Sequence, residues 1–453
     1  MKYKIIFLSA SLLFSTSYSV TVRDALIAAY KNNKELLVTR QAIIAKHESI
    51  VQAKGGFRPK IDAKLTSSIS KNMPTQNAAG VHHYNFDRSK GGSITASQNL
   101  FRGGSDLAGV KKTEHDILNF WAQLQDKEQE IFLNVIKAYL NLYAKFASVE
   151  VYKANLAFTK QQFDSASTKR SIGEETLTQE SLAEAKFMEA QSKLESGIAE
   201  LEAAKAGFEQ LTGMVAPEYV DHPKELIDVP ASAELLQEVA LKENPKITQA
   251  VESLASAKQD KKVQTGALLP SLDLQASTSK DIVKSKLSQQ GFSRKDRNMK
   301  YDNRVDLSLT IPLYDAGVNR SKRRQSSETI IQNRLSVEKT QQDLVRDCKQ
   351  AYRAYVAAKT NMENTAKQVK AQEVAVEGTT QEMDAGTKIM LDVLNAQSQL
   401  LQAKLDLINA TQNYYTYLYQ ILSLQGKLTA TGLDLPVEIF NPEADYNEVK
   451  GYF

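Results

Sequence analysis

A chain of 453 residues is long enough for two or three globular domains. Ala, Gln, Lys, Glu, Leu and Ser dominate it, while ten prolines and 8% aromatics give little material for several compact cores, so long helices are favoured instead. A formal net charge of +4 with interspersed signs excludes the concentrated basic footprint of a nucleic-acid binder, and a single cysteine, Cys348, excludes an intramolecular disulfide.

In chain order, Lys2 and Lys4 precede an apolar run from Ile5 to Phe14, and the small residues Ser17 and Ser19 suit cleavage after Ser19. Residues 1–19 are therefore expected to be a secretory signal peptide, its apolar core too short to cross a bilayer. No later stretch approaches the ~18 to 20 apolar residues of a spanning helix. The destination is a soluble compartment or a membrane entered by strands.

An opening helix is predicted from about Val22 to Lys54, stopped by Gly55 and Pro59. Ile61, Ala63, Leu65 and Ile69, then Ile94, Ala96 and Leu100, follow the two-residue spacing of half-apolar strands. Each strand reads as about ten residues, the length of a tilted membrane-spanning strand. A polar loop from Lys71 to Lys90 joins them. After Gly104 nothing stops a helix until Gly173, and about 67 residues at 1.5 Å would extend roughly 100 Å. Leu107, Val110, Ile117, Trp121, Leu124, Ile131, Val135, Ala138, Leu142, Phe146 and Val149 recur mostly at steps of three, four or seven, the spacing of a helix–helix seam. A shorter helix follows the corner at Gly173. The proline-bearing stretch 213–232 reads as a linker, and the tail after Thr431 as irregular.

The order then recurs. Shifted by 211, Asn33 falls on Asn244, Gly55 on Gly266, Pro59 on Pro270 and Asp62 on Asp273. Shifted by 213, Leu100 to Gly104 falls on Leu313 to Gly317, Ala138-Tyr139 on Ala351-Tyr352, and Gly173 on Gly386. Residues 20–212 and 233–428 thus read as two tandem repeats, each a helix, a strand pair and a long helical hairpin, with 429–453 as a tail. In the second, Leu272, Leu274 and Ala276, then Val305, Leu307, Leu309, Ile311 and Leu313, mark strands joined by a polar loop from Asp281 to Asn303. That loop, with its SRKDRNMKYDNR run, reads either as an outer-surface contact for anionic lipid or as a solvated loop.

Such strands cannot lie open in lipid, because each unpaired backbone group costs several kcal/mol. Four strands are too few to close a barrel, which needs at least eight, so copies of the chain must combine. The signal peptide, the doubled pattern, the Leu-Phe/Tyr-x-x-Gly turn after each second strand, and the run Gly386-Thr387-Lys388-Ile389-Met390-Leu391-Asp392-Val393-Leu394-Asn395-Ala396 together resemble the TolC family of outer-membrane channel proteins. The resemblance covers nearly all of the mature chain. It implies a mixed fold: a membrane β-barrel of four strands per protomer above a long α-helical barrel. Three chains would form a homotrimer in the outer membrane, extending into the periplasm. The partners it implies are a periplasmic adaptor (membrane fusion) protein, an inner-membrane pump or ABC transporter, and outer-membrane lipid.

No catalytic or cofactor motif stands out: there is no G-x-S-x-G, no phosphate loop and no metal spacing among His47, His82, His83, His115 and His222. The chain reads as a passive duct for small molecules or polypeptides in tripartite efflux or type I secretion, and not as an enzyme. The rival readings are a periplasmic helical-hairpin adaptor and a coiled-coil scaffold without a pore. By resemblance, Gly173, Gly386 and Thr387 form helix-turn tips at the periplasmic entrance, and Asp392 narrows the pore. Asn395, one turn on and on the same side, stands where the family carries a second aspartate. Read alone, Asp392 is better explained as an early-helix acid favoured by the helix dipole. Lys388 matches a basic residue that latches the facing corner. Its expected partners are Thr178 and Gln179, and Gln179 replaces an acid, so the latch becomes a hydrogen bond to a neutral acceptor.

Overall fold

The computed structural model describes residues 20–72, 84–222, 229–289 and 292–451. The signal segment, His82-His83 and part of the linker lie outside them.

The repeat is written in the element order. The first half runs α1 (Val22–Asn32), α2 (Lys34–Lys54), β1 (Lys60–Asn72), β2 (Tyr84–Arg102), α3 (Ser105–Ser171) and α4 (Leu177–Thr212). The second runs α5 (Ala233–Glu243), α6 (Pro245–Gly266), β3 (Ser271–Gln289), β4 (Phe292–Thr310), α7 (Val318–Asp384) and α8 (Met390–Leu424). The two long helices α3 and α7 are each 67 residues, as the absence of a stop signal before Gly173 and Gly386 predicts.

The single opening helix expected over Val22–Lys54 is instead two. Asn33 takes an extended conformation (φ −62°, ψ 118°) between α1 and α2. Its Oδ1 accepts the amides of Glu35 and Leu36, at 3.0 and 3.1 Å, capping α2. Its Nδ2 donates to the Leu211 carbonyl at 2.8 Å. The side chain thus offers the backbone a better set of bonds than helix continuation does. Asn244 repeats the device between α5 and α6: Oδ1 accepts from Lys246 at 3.0 Å, and Nδ2 donates to the Leu424 carbonyl at 3.0 Å.

The strands are longer than expected: the described residues 71–72 and 84–90 of the predicted loop Lys71–Lys90, and 281–289 and 292–303 of the predicted loop Asp281–Asn303, belong to the ladder. β1 has 13 residues and β2, β3 and β4 have 19 each. Gln289 pairs with Phe292, so only residues 290–291 join β3 to β4. The hydrophobic alternation fades there while the backbone bonds continue, and the sequence pattern followed only the first. A bulge between Asn99 and Phe101 puts Phe101, opposite Leu272, where the spacing pointed to Leu100. β4 ends at Thr310, ahead of Pro312, which cannot donate to a ladder. The sheet is antiparallel in the order β1-β2-β3-β4.

Packing divides the chain into two units, each drawing on both repeats. One holds the sheet with residues 42–121, 249–338 and 441–453. Its core gathers Ile50, Ile117, Tyr446 and Val449 with half-buried Val51, Val110 and Trp121. Tyr446 and Val449 belong to α9 (Pro442–Gly451), a helix within the tail expected to be irregular. Pro442 suits its first turn, and Asn441 Oδ1 caps it through the amides of Glu443 and Ala444. Buried His47 ties it down: Nε2 accepts the Trp121 indole N–H at 2.9 Å and Nδ1 lies 2.6 Å from the Asp445 carboxylate.

The other unit spans residues 20–41, 122–248 and 339–440 of the described chain. Of the α3 seam, Leu124, Ile131, Val135, Leu142 and Val149 are buried there, joined by Phe132, Ile136, Tyr139 and Leu140. Leu107, in the sheet-bearing unit, is 57% exposed and is not core within one chain. Cys348 is buried among Leu236, Ala240, Ile247, Leu344 and Ile421, a packing residue with its thiol pushed up to about 11 by burial. The tyrosines of α8 also pack: Tyr414 stacks on Tyr355 at 5.6 Å and meets Tyr415 edge-on at 5.1 Å.

Candidate pore entrance and its gate residues

Both helical hairpins turn by the same backbone device. Gly173 (φ +83°) and Gly386 (φ +79°) occupy the left-handed region. The Gly173 and Glu174 amides donate back to the Arg170 and Lys169 carbonyls, each at 2.9 Å, and the Gly386 and Thr387 amides to Met383 and Glu382, each at 2.9 Å. These bonds satisfy helix-end carbonyls that would otherwise face no partner. A β-carbon would meet nothing within 4 Å at either glycine, so the requirement is for the positive φ and not for space. Thr387 adds a side-chain bond, Oγ1 donating to the Glu382 carbonyl at 2.8 Å.

The helices leaving the corners start differently. Thr176 caps α4, its Oγ1 accepting the Gln179 amide at 3.3 Å. Ile389 stands at the corresponding place before α8 and has no acceptor, so the Asp392 carboxylate reaches back to the Ile389 amide at 3.4 Å. The early-helix role of Asp392 is therefore real, and the carboxylate stays half-buried. Asn395, one turn on, is exposed.

Hydrophobic contacts hold the two corners side by side. Ala166 of α3, Ala183 of α4, and Met390 and Leu394 of α8 form one buried cluster, flanked by Phe163 and Met383. Phe163 stacks on Phe187 with ring centroids 5.9 Å apart. The candidate residues of both repeats thus share one end of this unit. Lys388 and Thr178 are exposed and Gln179 is half-buried. Among the described residues no hydrogen bond or ion pair joins Lys388 to Thr178 or Gln179 within the chain.

Two features of the corners escaped the sequence reading. Arg170 at the end of α3 forms an ion pair with Glu180 at the start of α4, and its guanidinium holds the Glu180 carboxyl below the usual carboxylate range. A shift of 213 places Met383 and Val393 at these two positions in the second hairpin, both apolar, with Val393 buried. The same shift places Gln179 on Asp392. The repeat offset was the signal that could have found both.

Among the described residues, no three His, Cys, Asp or Glu side chains are placed to hold a metal ion. No described helix is long and apolar enough to cross a membrane.

A sequence profile of the outer membrane efflux proteins matches residues 26–214 and 236–427, one stretch for each repeat. The chain belongs to the outer membrane efflux protein family. A relative within it, outer membrane efflux protein BepC of Brucella suis, is 28% identical over 95% of this chain and 91% of its own. Outer membrane protein TolC of Escherichia coli is 24% identical over 68% of this chain and 64% of its own. The solved outer-membrane channel CmeC of Campylobacter jejuni superposes with a TM-score of 0.74 at 15% identity, over 95% of this chain and 89% of that one. As a member of the efflux family the protein is an outer-membrane channel reaching into the periplasm, and not an enzyme. Family membership removes the adaptor and scaffold readings.

Proposed function

We propose that three copies of this chain close into a twelve-stranded barrel and form the exit duct of a tripartite efflux or type I secretion system. The observation that carries this reading is the sheet order: β1 and β4 each pair with one neighbour only and leave two open edges. Ile61, Leu65, Val305, Leu307 and Leu309 are largely exposed on one face of that sheet. An apolar sheet with open edges is untenable in lipid, and edge-to-edge pairing between chains satisfies every ladder group. A periplasmic adaptor and an inner-membrane pump would supply the energy, since the chain has no nucleotide-binding motif.

In this assembly the six glycine corners surround one entrance, and the three Asp392 carboxylates stand near its axis. Grouped carboxylates attract cations, so the entrance favours cations over anions. With Asn395 one turn on, a single acidic ring forms where two are usual by resemblance. Lys388 would bond across to Thr178 or Gln179 of a facing corner, a contact worth about 0.5 to 1.5 kcal/mol. Opening loosens the contacts between hairpins, a shift between two packings. The support for this placement is the shared hydrophobic cluster that gathers both corners.

Single-channel recording of purified protein in planar bilayers tests the reading. Discrete cation-preferring conductance, from an oligomer that dissociates only on heating in detergent, is the expected result. A monodisperse monomer with no conductance would overturn it.

A further inference from the structure

The register of the four strands places every acid of the ladder on one face of the sheet, while basic residues stand on both. On one face Ile61, Ala96, Ala276 and Val305 form a rung, as do Leu272 and Leu309 nearer the helices. Farther from the helices this face passes through Ala63, Ile94, Thr278 and Asn303, and then carries basic residues among apolar ones such as Leu65, Ile69, Ile282 and Met299. Lys90 and Lys280 come first, then Arg88, Lys284 and Arg297 side by side on one rung, then Lys295. No Asp or Glu stands on this face at any paired position. The opposite face carries the acids, Asp87, Asp281, Asp296, Asp302 and Asp306 among them.

The six named, Lys90, Lys280, Arg88, Lys284, Arg297 and Lys295, are exposed, and none of these six forms an ion pair among the described residues. Arg88 leans on the Phe86 ring at 5.7 Å and Lys280 over the Tyr301 ring at 5.0 Å, which fixes their stems along the same face. The Leu272–Leu309 rung and the Arg88–Lys284–Arg297 rung are twelve residues apart along β3. That is roughly 40 Å of strand and about 30 Å of height at a tilt near 40°, just past the ~25 Å apolar band of such barrels. The face that is apolar below and basic above therefore meets hydrocarbon first and head groups second. The basic rungs lie at the hairpin ends remote from the helices, hence in the outer leaflet of a channel that reaches into the periplasm.

We propose that this rung is a binding site for the phosphate groups of anionic outer-leaflet glycolipid. Unpaired cations in a row, next to an apolar band, match a ligand with phosphates at one end and acyl chains at the other. A solvated surface without a ligand would have no reason to exclude every acid from one face while collecting them on the other.

The test uses the full chain purified in detergent and native mass spectrometry with bisphosphorylated lipid A. The variant is R88Q/K284Q/R297Q, with K60Q/K64Q/K300Q on the opposite face as control. Bound lipid A at fixed concentration should fall at least tenfold in the first variant and stay unchanged in the second. Dephosphorylated lipid A should bind the parent no better than it binds the variant, and millimolar inorganic phosphate should not displace the lipid. K284R, which keeps the charge, should retain binding, and the oligomer mass in the same spectra should match the parent in every variant. Equal lipid A binding by the first variant and the parent, equal binding of dephosphorylated lipid, or displacement by free phosphate alone would overturn the proposal.

Discussion

Replacing Gly386 by Ala isolates one term in the energetics of the hairpin corner. The added methyl has no steric partner, because a β-carbon there meets nothing within 4 Å. The backbone amides also remain, so the bonds from Gly386 to Met383 and from Thr387 to Glu382 stay available. What remains is the cost of holding an L-residue at φ +79°, about 1 to 2 kcal/mol. Local opening of the corner should then become roughly 5- to 30-fold more frequent. Gly378, within α7, supplies the opposite sign: a β-carbon there also meets nothing within 4 Å, but the backbone is helical. Ala at 378 should stabilise by about 0.5 to 1 kcal/mol. Hydrogen exchange of the purified protein reads both. The amides at 386 and 387 should lose protection by the stated factor in G386A, and those around 378 should gain protection in G378A. Equal or greater protection at the corner in G386A would refute the argument that glycine stands there for its conformation.

Asp392→Ala should shift the reversal potential in a salt gradient toward zero, and Asn395→Asp should move it further toward the cation potential; unchanged selectivity in both would remove the carboxylate ring. Trp121→Phe keeps the ring packing but leaves the buried His47 Nε2 without its donor, a loss of about 1 to 3 kcal/mol that thermal unfolding should register, and no change would mean the indole bond contributes nothing. Burial holds the Glu128 carboxyl above its ordinary 4.5, against the opposing Ala430 amide and Arg40. Such a group contributes stability below its unfolded value and loses it as pH rises through the folded one. The stability of the parent relative to E128Q should therefore fall as pH is raised from about 4.5, and a gap independent of pH would contradict it. Cys348, its thiol pushed up to about 11, should resist thiol reagents at pH 8 until the protein is unfolded; rapid labelling of the native protein would show that α7 opens there.

The repeat and its long helices were legible because hydrophobic period and glycine spacing persist over a long stretch. The corners were legible for the same reason, since a positive φ selects glycine in both copies. Asn33 was harder to read. Its neighbours keep helical composition, and the break is decided by bonds to Leu211, 178 residues away. The outer halves of the strands were hidden because charged and polar residues there stand on both faces and break the apolar–polar alternation. α9 was hidden because two prolines suggested irregular chain, while its stability comes from Tyr446 and Val449 in a core built by distant segments. A pore role for Asp392 could be proposed only from the family resemblance, since local composition by itself favours a helix-start acid.

The two hairpins differ where identity would have been simplest to keep. Both use the same glycine, the same pair of backward hydrogen bonds and a helix of matching length before the turn. The first joins its two helices by the Arg170–Glu180 ion pair and has neutral Gln179 at the position matching Asp392. The second has apolar Met383 and Val393 at the corresponding places and carries the carboxylate, Asp392. A carboxylate that braces a corner and a carboxylate that caps a helix start have thus separated between the copies. A second carboxylate at position 179 would sit next to Glu180 and compete for Arg170, weakening the brace that sets the first corner. A cation such as Arg at position 383 would in turn stand beside the cluster of Ala166, Ala183, Met390 and Leu394 and require desolvation there. The two corners are equivalent in backbone, and their side chains diverge so that a carboxylate is ion-paired in one hairpin and bonded to a backbone amide in the other.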